Sequence, residues 1–240
     1  MLNKSRKLVR EFRTRFENIS RQNDELIWAH VFHDTIKDRE WLNKLSLSPG
    51  RWAADYSLLY LMVRILSDYK PKKILELGLG QSSKLISSFL DNDLKDAEHL
   101  IVEHDENWSR VFETRFSLSK NSTILNLPLV QKTVKGNEVY SYDQIEEQIQ
   151  SAFDLYLVDG PFGSANLSRY DICKLATHLT KENEFIIIMD DYNREGEKET
   201  VSELLELLKS KEIQVYTGIY SGTKTQIIIV TENYRFATTM

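Results

Sequence analysis

The sequence of 240 residues is poor in the residues that build unusual scaffolds: it contains one cysteine, four prolines and nine glycines. A single cysteine, Cys173, excludes an intramolecular disulfide and any zinc site made of cysteines. No apolar run approaches the roughly 20 residues of a membrane span, and the charged N-terminus lacks the apolar segment of a signal peptide. We therefore expect a soluble cytoplasmic protein with no membrane span.

Positive charge is not in excess either. The chain has 31 Lys and Arg against 36 Asp and Glu, a net charge of −5, so we expect no nucleic acid among its partners. Its 41% hydrophobic and 28% charged residues are ordinary for a globular protein. The length allows one substantial core, and we expect no second full domain.

Residues 1–70 predict a helical extension that packs on the core. Apolar residues recur every three or four positions between Lys4 and Ile19, with basic residues between them, which predicts an amphipathic helix with a basic face. A second helical pattern covers Leu26–Phe32, and a long buried helix is predicted over Ala53–Tyr69, ended by Pro71. The first helix could present a solvated face while packing on the domain, or act as a lid, a docking arm or the surface of a homodimer.

Residues 71–240 predict an α/β domain, because short apolar runs alternate with helical stretches. The runs LYLV (155–158) and FIIIM (185–189) are continuously apolar, as expected for parallel strands covered on both faces. The predicted strands are Lys73–Leu77, His99–Glu103, Thr123–Leu127, Asp154–Asp159 and Glu184–Asp190. The predicted helices are Ser82–Leu90, Asn107–Ser117, Tyr142–Ser151, Arg169–Thr180 and Lys198–Lys209.

The end of the chain departs from this alternation. Two further strands, Ile213–Tyr220 and Thr225–Thr231, are separated by only four residues. So short a connection joins antiparallel neighbours and not parallel ones. The predicted fold is therefore a doubly wound, Rossmann-like α/β sheet of seven mostly parallel strands, with an antiparallel last strand.

Polar residues stand at the ends of four predicted strands. They are Glu76 with Gly78 and Gly80, then Glu103, then Asp159, and finally the pair Asp190 and Asp191. Singly, an aspartate after a strand is more often a turn former or a helix cap. Together they favour one binding site, because open α/β sheets bind ligands outside the carboxyl ends of their strands. A carboxylate at the place of Glu103 can accept both ribose hydroxyls of a nucleoside.

The glycine turn distinguishes between nucleoside cofactors. A dinucleotide site needs a third glycine, where this chain has Ser83, and Glu76 stands two residues before Gly78. The stretch ILELGLGQSS (74–83) thus resembles motif I of class I S-adenosylmethionine-dependent methyltransferases, whose sheet also ends in an antiparallel hairpin. The resemblance implies that Gly78 and Gly80 lie under the methionine part of S-adenosylmethionine and that Glu103 holds its ribose. It also implies that His104 or Asp105 lies beside its adenine. The full set of implied cofactor-binding residues is Glu76, Gly78, Gly80, Ser82, Glu103, His104 and Asp159.

A narrower resemblance rests on the order GLGQSS, IVEHDENW, VDGPFG and DDYNREGEKE. This order of motifs is similar to that of the polysaccharide O-methyltransferases typified by glucuronoxylan 4-O-methyltransferases. The chain departs from them after Gly80, where Gln81 and Ser82 replace a histidine–aspartate pair, and in its added N-terminal helices. The implied reaction is O-methylation of a saccharide or similar small hydroxyl acceptor.

A hydroxyl acceptor needs a base, because a sugar hydroxyl is a poor nucleophile near neutral pH. Asp159 is the first candidate for this catalytic base or for orienting the hydroxyl, and Asp191 is the second. We expect Arg169, Tyr170 and Arg194 on the acceptor side. The guanidinium of Arg194 could hold the carboxylate of an acidic sugar or cap the following helix.

The same acids allow a second role. Asp159, Asp190 and Asp191 occupy places similar to those of the metal-binding acids of catechol-type O-methyltransferases, and three carboxylates suit Mg²⁺ or another hard divalent ion. Alternatively, one of Asp190 and Asp191 caps the next helix. Two other functions stay open: a NAD-dependent oxidoreductase, and a non-catalytic interaction module of glycan assembly whose pocket would be blocked by Gln81 or by the N-terminal helices.

Overall fold

The computed structural model describes residues 2–50 and 52–240. The strands are β1 Lys73–Leu77, β2 Glu98–Glu103, β3 Ser122–Asn126, β4 Leu129–Val134, β5 Asn137–Tyr142, β6 Leu155–Val158, β7 Ile186–Met189, β8 Tyr216–Ser221 and β9 Thr225–Val230. The α-helices are α1 Leu2–Ile36, α2 Glu40–Asn43, α3 Tyr56–Asp68, α4 Gln81–Asn92, α5 Glu106–Arg115, α6 Ile145–Gln148, α7 Asp171–Leu175 and α8 Glu195–Ser210. Short 3-10 helices cover Ala176–His178 and Glu232–Thr239.

Seven of the strands form one sheet in the order β3-β2-β1-β6-β7-β9-β8. β1 lies in the interior of the sheet and pairs in parallel with β2 and β6. β9 runs antiparallel to β7 and to β8, so the short connection at residues 222–224 forms the predicted hairpin. The predicted fold class, including the antiparallel last strand, is confirmed.

Apolar side chains cover both faces of the sheet, as the continuous apolar runs predict. On one face the side chain of Ile74 packs in a cluster with α3 and α4, and on the other Leu75 packs with α7 and α8. α3 begins at the N-cap Asp55, whose carboxylate accepts from the backbone N–H of Leu58. Because α3 belongs to the same core cluster as β1, β6 and β7, residues on both sides of position 70 share one core.

α1 is one continuous helix of 35 residues, whereas the sequence predicts two shorter helical patterns. Its C-terminal part packs on the domain: Phe32 and Ile36 are buried, and the indole of Trp28 donates to the carbonyl of Ser221 at 2.8 Å. The residues from Val9 to Asn23 are exposed. The apolar residues expected to pack on the domain in this segment therefore face away from it; the side chain of Leu8 lies outside the described residues. No helix in the described part of the chain has the length and hydrophobicity for crossing a bilayer.

The prediction of a helix over Tyr142–Ser151 is wrong. Tyr142 ends β5, which forms an antiparallel hairpin with β4, and only the four residues of α6 are helical in that range. The hairpin turns at Lys135 (φ +51°) and Gly136 (φ +83°), the left-handed pair of a two-residue turn. The predicted helix Arg169–Thr180 is also shorter, because Arg169 itself has φ +59° and α7 begins only at Asp171.

Candidate active site

A pocket of about 530 Å³ opens at the carboxyl ends of β1, β2, β6 and β7. This volume is typical of a site for a small ligand. Its wall includes the glycine turn after β1, the start of the loop after β2 and the Asp-Gly-Pro turn after β6. Residues 52–54, from the segment before α3, line it as well. The strand ends singled out in the sequence therefore meet at one cavity.

The glycine turn brings two backbone segments unusually close. Gly78 has φ +102°, and a Cβ there would lie 3.1 Å from the backbone nitrogen of Gly160. Gly80 then forms the N-cap of α4, and its N–H donates to the hydroxyl of Ser83 at 2.9 Å. Glycine at position 78 is required both by the left-handed backbone and by this approach. The turn leaves a wall of bare backbone facing the pocket.

Glu103 is fixed by backbone donors at the end of β2. Its Oε1 accepts from the N–H groups of His104 and Asp105 at 2.7 and 2.9 Å, and its Oε2 accepts from the N–H of Leu79 at 3.0 Å. A carboxylate oxygen accepts about two hydrogen bonds, so Oε2 retains capacity for a ligand hydroxyl. Glu103 lines the pocket. It is thus held in place at the pocket wall with remaining acceptor capacity.

Aromatic rings line the same side of the pocket. The rings of His104 and Phe162 lie edge to face with their centroids 4.7 Å apart. The indole of Trp108 donates to the carbonyl of Leu79 at 2.9 Å and so joins α5 to the glycine turn. Trp52, at the rim, is 88% exposed. Flat apolar walls beside a fixed carboxylate suit a purine nucleoside.

Tyr142 is a pocket residue that the sequence analysis missed. It is fully buried at the end of β5, and its hydroxyl has no hydrogen-bond partner among the described residues. A Cβ at Gly160 would lie only 2.6 Å from this hydroxyl. Burial, reinforced by the charge of Glu103, raises the pKa of Tyr142 well above its ordinary value, so the phenol is a hydrogen-bond donor. The alternating pattern VQKTVKGNEVYSY around a Lys-Gly turn signals the hairpin that delivers it.

The acids Asp159, Asp190 and Asp191 lie together, with one oxygen from each within 4.8 Å of the others. Each is already paired. Lys224 lies 2.8 Å from Asp190, Arg169 lies 2.8 Å from Asp191 and 3.4 Å from Asp159, and Arg194 lies 3.0 Å from Asp191. A divalent ion would have to displace these cations and would then be repelled by them. The cluster therefore fits an ion-pair network better than a metal centre.

The environment separates the proton affinities of two of these acids. Burial, together with the charge of Asp190, raises the pKa of Asp159 well above its ordinary value. Burial acts in the same direction on Asp190, but the charges of Lys224 and Arg169 outweigh it and lower the pKa of Asp190. Asp159 is therefore the acid of this pair that takes up a proton, and it lies on the pocket wall.

Comparison with known proteins rests on solved structures, since no family model and no curated protein matches the chain. A putative O-methyltransferase from Klebsiella pneumoniae is 16% identical, with 86% of this chain and 98% of that chain covered and a TM-score of 0.51. An O-methyltransferase from Bacillus cereus, in complex with SAH, is 14% identical over 88% of this chain and 91% of that one, also with a TM-score of 0.51. The fold is that of class I methyltransferases. TomG from Streptomyces achromogenes, an O-methyltransferase solved in complex with SAM, gives the same TM-score at 13% identity over 85% and 89% of the two chains.

The predicted site residues divide into two groups, those that line the pocket and those that do not. The residues on the pocket wall are Gly78, Gly80, Glu103, His104, Asp159, Arg169, Asp191 and Arg194. Those placed elsewhere are Glu76, Ser82, Tyr170 and Asp190. Glu76 and Ser82 are buried and bonded to each other beneath the glycine turn, with His99 3.0 Å from the Glu76 carboxylate. They support the turn from below.

Lys224 is another pocket residue that the sequence analysis missed. It lies in the turn between β8 and β9, a position typical of a solvated hairpin lysine, yet it is almost fully buried against Asp190. Neither local pattern nor spacing signals this partnership, because the two residues meet only through the pairing of β7 with β9.

Proposed function

We propose that the protein is an S-adenosylmethionine-dependent methyltransferase that O-methylates a saccharide or a similar small hydroxyl acceptor. One observation carries the proposal: a single pocket of the methyltransferase fold joins the glycine turn and the fixed Glu103 carboxylate to Asp159, a carboxylate with raised proton affinity. Neighbours described as O-methyltransferases in complex with SAM or SAH support it at the level of the fold.

The cofactor half of the pocket fits S-adenosylmethionine. Gly78 and Gly80 would accept its methionine part against bare backbone, Glu103 its ribose hydroxyls, and His104 with Phe162 its adenine. The hydroxyl of Tyr142, which has no partner among residues 2–50 and 52–240, supports this assignment, since a buried polar atom that faces a cavity is satisfied by what the cavity binds. When bound, the cofactor supplies a methyl group already activated as a sulfonium.

The acceptor half supplies a base. Asp159 accepts the proton of the acceptor hydroxyl, and its raised pKa brings its proton affinity closer to the working pH, where general bases act best. Asp191, the second predicted catalytic residue, bonds to both Arg169 and Arg194. We assign it the role of holding those two guanidinium groups.

Arg194 and Trp52 favour a saccharide with an acidic group. Arg194 lies at the pocket with its side chain 44% exposed, so its guanidinium is accessible to a carboxylate. Trp52 offers an exposed indole at the same rim, on which the apolar face of a sugar ring can pack. Tyr170 borders α7 outside the pocket wall, and its part in acceptor binding stays a prediction.

We propose transfer without a metal ion. Three cationic side chains, Arg169, Arg194 and Lys224, already neutralise the acidic cluster. A metal-dependent reaction predicts loss of turnover with EDTA and recovery with Mg²⁺. Transfer without metal predicts turnover that neither addition changes.

The cytoplasm stays the predicted location, in keeping with a buried, unpaired Cys173.

The test of the cofactor is calorimetric titration with S-adenosylhomocysteine, with and without Mg²⁺. We expect micromolar binding, about −8 kcal/mol, in both conditions. Glu103→Gln removes a charged acceptor and should weaken binding roughly 10- to 100-fold. Glu106→Gln is the matched control, because Glu106 is exposed and off the pocket. Absence of binding by the folded wild-type protein would refute the proposal. If the protein binds the cofactor product, acceptors are screened among acidic and neutral sugars.

The two other functions lack such support. The pocket is open: Gln81 lies at its wall with its side-chain oxygen bound to the N–H of Ser48 at 2.9 Å, so neither it nor the N-terminal segment fills the cavity as a non-catalytic module requires. An oxidoreductase of the dinucleotide-binding type predicts a parallel last strand, against the antiparallel β9.

A further inference from the structure

The exposed half of α1 carries a seam of apolar residues with heptad spacing. Val9, Phe16 and Asn23 follow one another at seven-residue intervals, and so do Phe12, Ile19 and Leu26, shifted by three. These are the a and d positions of a coiled coil. The five apolar members of this outer seam are between 55% and 71% exposed. Such a row of large apolar side chains on one helix requires a covering partner.

The outer seam faces away from the domain to which α1 is attached. The residues that pack on the domain, Trp28, Phe32 and Ile36, take the f, c and g positions of the same heptad register. At 100° per residue, these positions lie on the side of the helix opposite a and d. A second helix can therefore lie along the outer seam without meeting the domain.

We propose that the outer seam pairs with the outer seam of a second copy of this chain, in a parallel, in-register, two-stranded coiled coil. From Val9 to Leu26 the seam is about 26 Å long. α1 is already nucleated by its C-terminal part, which packs on the domain, so pairing does not bear the cost of starting the helix.

Asn23 sets the orientation. In a parallel, in-register pair the two Asn23 side chains face each other, and their amides satisfy one another, as a lone asparagine at an a position does in parallel dimers. In an antiparallel pair Asn23 would face Phe12, and its amide would be buried without a partner. In the parallel register Arg15, at g, faces Ser20 of the second copy, so no like charges are set opposite each other.

A lipid surface is the rival occupant, because residues 1–23 contain seven basic and two acidic residues in a chain of net charge −5. The seam favours a second copy: between Val9 and Leu26 the apolar residues stand only at a and d positions, with Ile27 added at the adjoining e position, whereas interfacial helices have a broad apolar face. Asn23, between Ile19 and Leu26 in the seam, would be costly in acyl chains and is useful in a coiled coil.

The oligomeric state tests the pairing directly. Sedimentation equilibrium of the full chain should give twice the 28.1 kDa mass of one copy. Phe16→Glu places a charge in the seam and should give a monomer at the same concentration. Asn18→Glu adds the same residue at the c position, outside the seam, and should leave the dimer intact. Unchanged S-adenosylhomocysteine affinity or thermal unfolding shows that each variant is folded.

Disulfide trapping tests the orientation. Cys173 is buried, so a cysteine introduced at the surface reacts alone. Val9→Cys should cross-link two copies fully under mild oxidation, and Asn18→Cys should not. Cross-linking only between Val9→Cys and Leu26→Cys chains in a mixture would overturn the parallel arrangement. A monomeric wild-type protein, or a dimer that Phe16→Glu leaves intact, would overturn the pairing itself, and flotation of that monomer with anionic vesicles would assign the seam to a lipid surface.

Discussion

The two halves of the pocket differ in the way the chain assembles them. The cofactor half is built from backbone: the bare turn at Gly78, and the N–H groups that hold Glu103. The acceptor half is built from charged side chains that hold each other, with Arg169 buried between Asp159 and Asp191. Most of the first half is specified by two short stretches, residues 78–83 and 103–105, whereas the second half exists only after the fold has formed.

This difference predicts that substitutions in the two halves impair different properties of the protein. Backbone walls keep their shape when one side chain changes, so substitutions in the cofactor half should affect affinity for the cofactor. In the acceptor half each charge compensates another, so substitutions there should affect the chemical step or the free energy of unfolding. The predictions below test this division.

The largest effect is expected for Asp159→Asn. The amide keeps the shape of the side chain but cannot take a proton, and loss of a general base lowers turnover by roughly 10²- to 10⁴-fold. Cofactor affinity should stay close to that of the wild type, because the base acts on the acceptor. Turnover is measured with the best acceptor of the sugar screen, and affinity by calorimetry.

Asp191→Asn is the companion variant. It weakens the bonds to Arg169 and Arg194, so the KM of the acceptor should rise more than kcat falls. If Asp191→Asn lost the greater part of kcat while Asp159→Asn kept it, the roles assigned to these two acids would be reversed.

Arg169→Met should destabilise the protein by about 3–5 kcal/mol, because it removes the buried cation beside Asp191 and Glu197 and leaves them only the half-exposed Arg194. Chemical denaturation measures this loss. Arg110→Met is the matched control: its ion pair with Glu106 is exposed, and an exposed pair contributes at most about 1 kcal/mol. Equal losses for the two variants would show that the buried cluster is not a compensated unit.

Sequence reasoning reached the fold and the cofactor half for a physical reason. Strand, glycine turn and helix follow one another within residues 74–83, and Glu103 ends the next strand, so local pattern suffices to place them. The hairpin at the end of the chain was equally accessible, because a short connection permits only antiparallel pairing.

The acceptor half was reached only in part. Asp159, Asp191 and Arg194 follow strands and could be singled out, but their pairing with Lys224 depends on β9 lying beside β7. In the cofactor half, Tyr142 was also missed, because it was assigned to a helix and the Lys-Gly turn of its hairpin was not recognised. When a residue reaches a site from a distant segment, the sequence around it does not indicate its position in the folded protein.

Tyr142→Phe should have a smaller effect, confined to the cofactor half. The variant removes a hydroxyl that has no partner in the part of the chain that the structure describes, so the free energy of unfolding should not fall. Cofactor affinity should fall by about 0.5–1.5 kcal/mol, the net contribution of one hydrogen bond. Tyr140→Phe, half-exposed on the same hairpin, should change neither quantity. Loss of stability without loss of affinity would show that Tyr142 supports the hairpin and does not contact the cofactor.

The smallest expected effect is a displacement of the pH profile of turnover. This profile depends on the protonation of Asp159 and is compared with the pH dependence of cofactor affinity. Asp159 must be ionised to accept the acceptor's proton, and its pKa is raised, mainly by burial. Turnover should therefore fall as the pH drops, and the fall should begin at a higher pH than the ordinary aspartate value of 3.8 implies. Lys224 lowers the pKa of Asp159 by its charge, so Lys224→Gln should move this limb to higher pH while the glutamine still donates to Asp190. Cofactor affinity measured over the same pH range should not follow the limb, because Glu103, and not Asp159, holds the ribose. If Lys224→Gln does not move the acidic limb of the turnover profile, the group that titrates lies outside the acidic cluster.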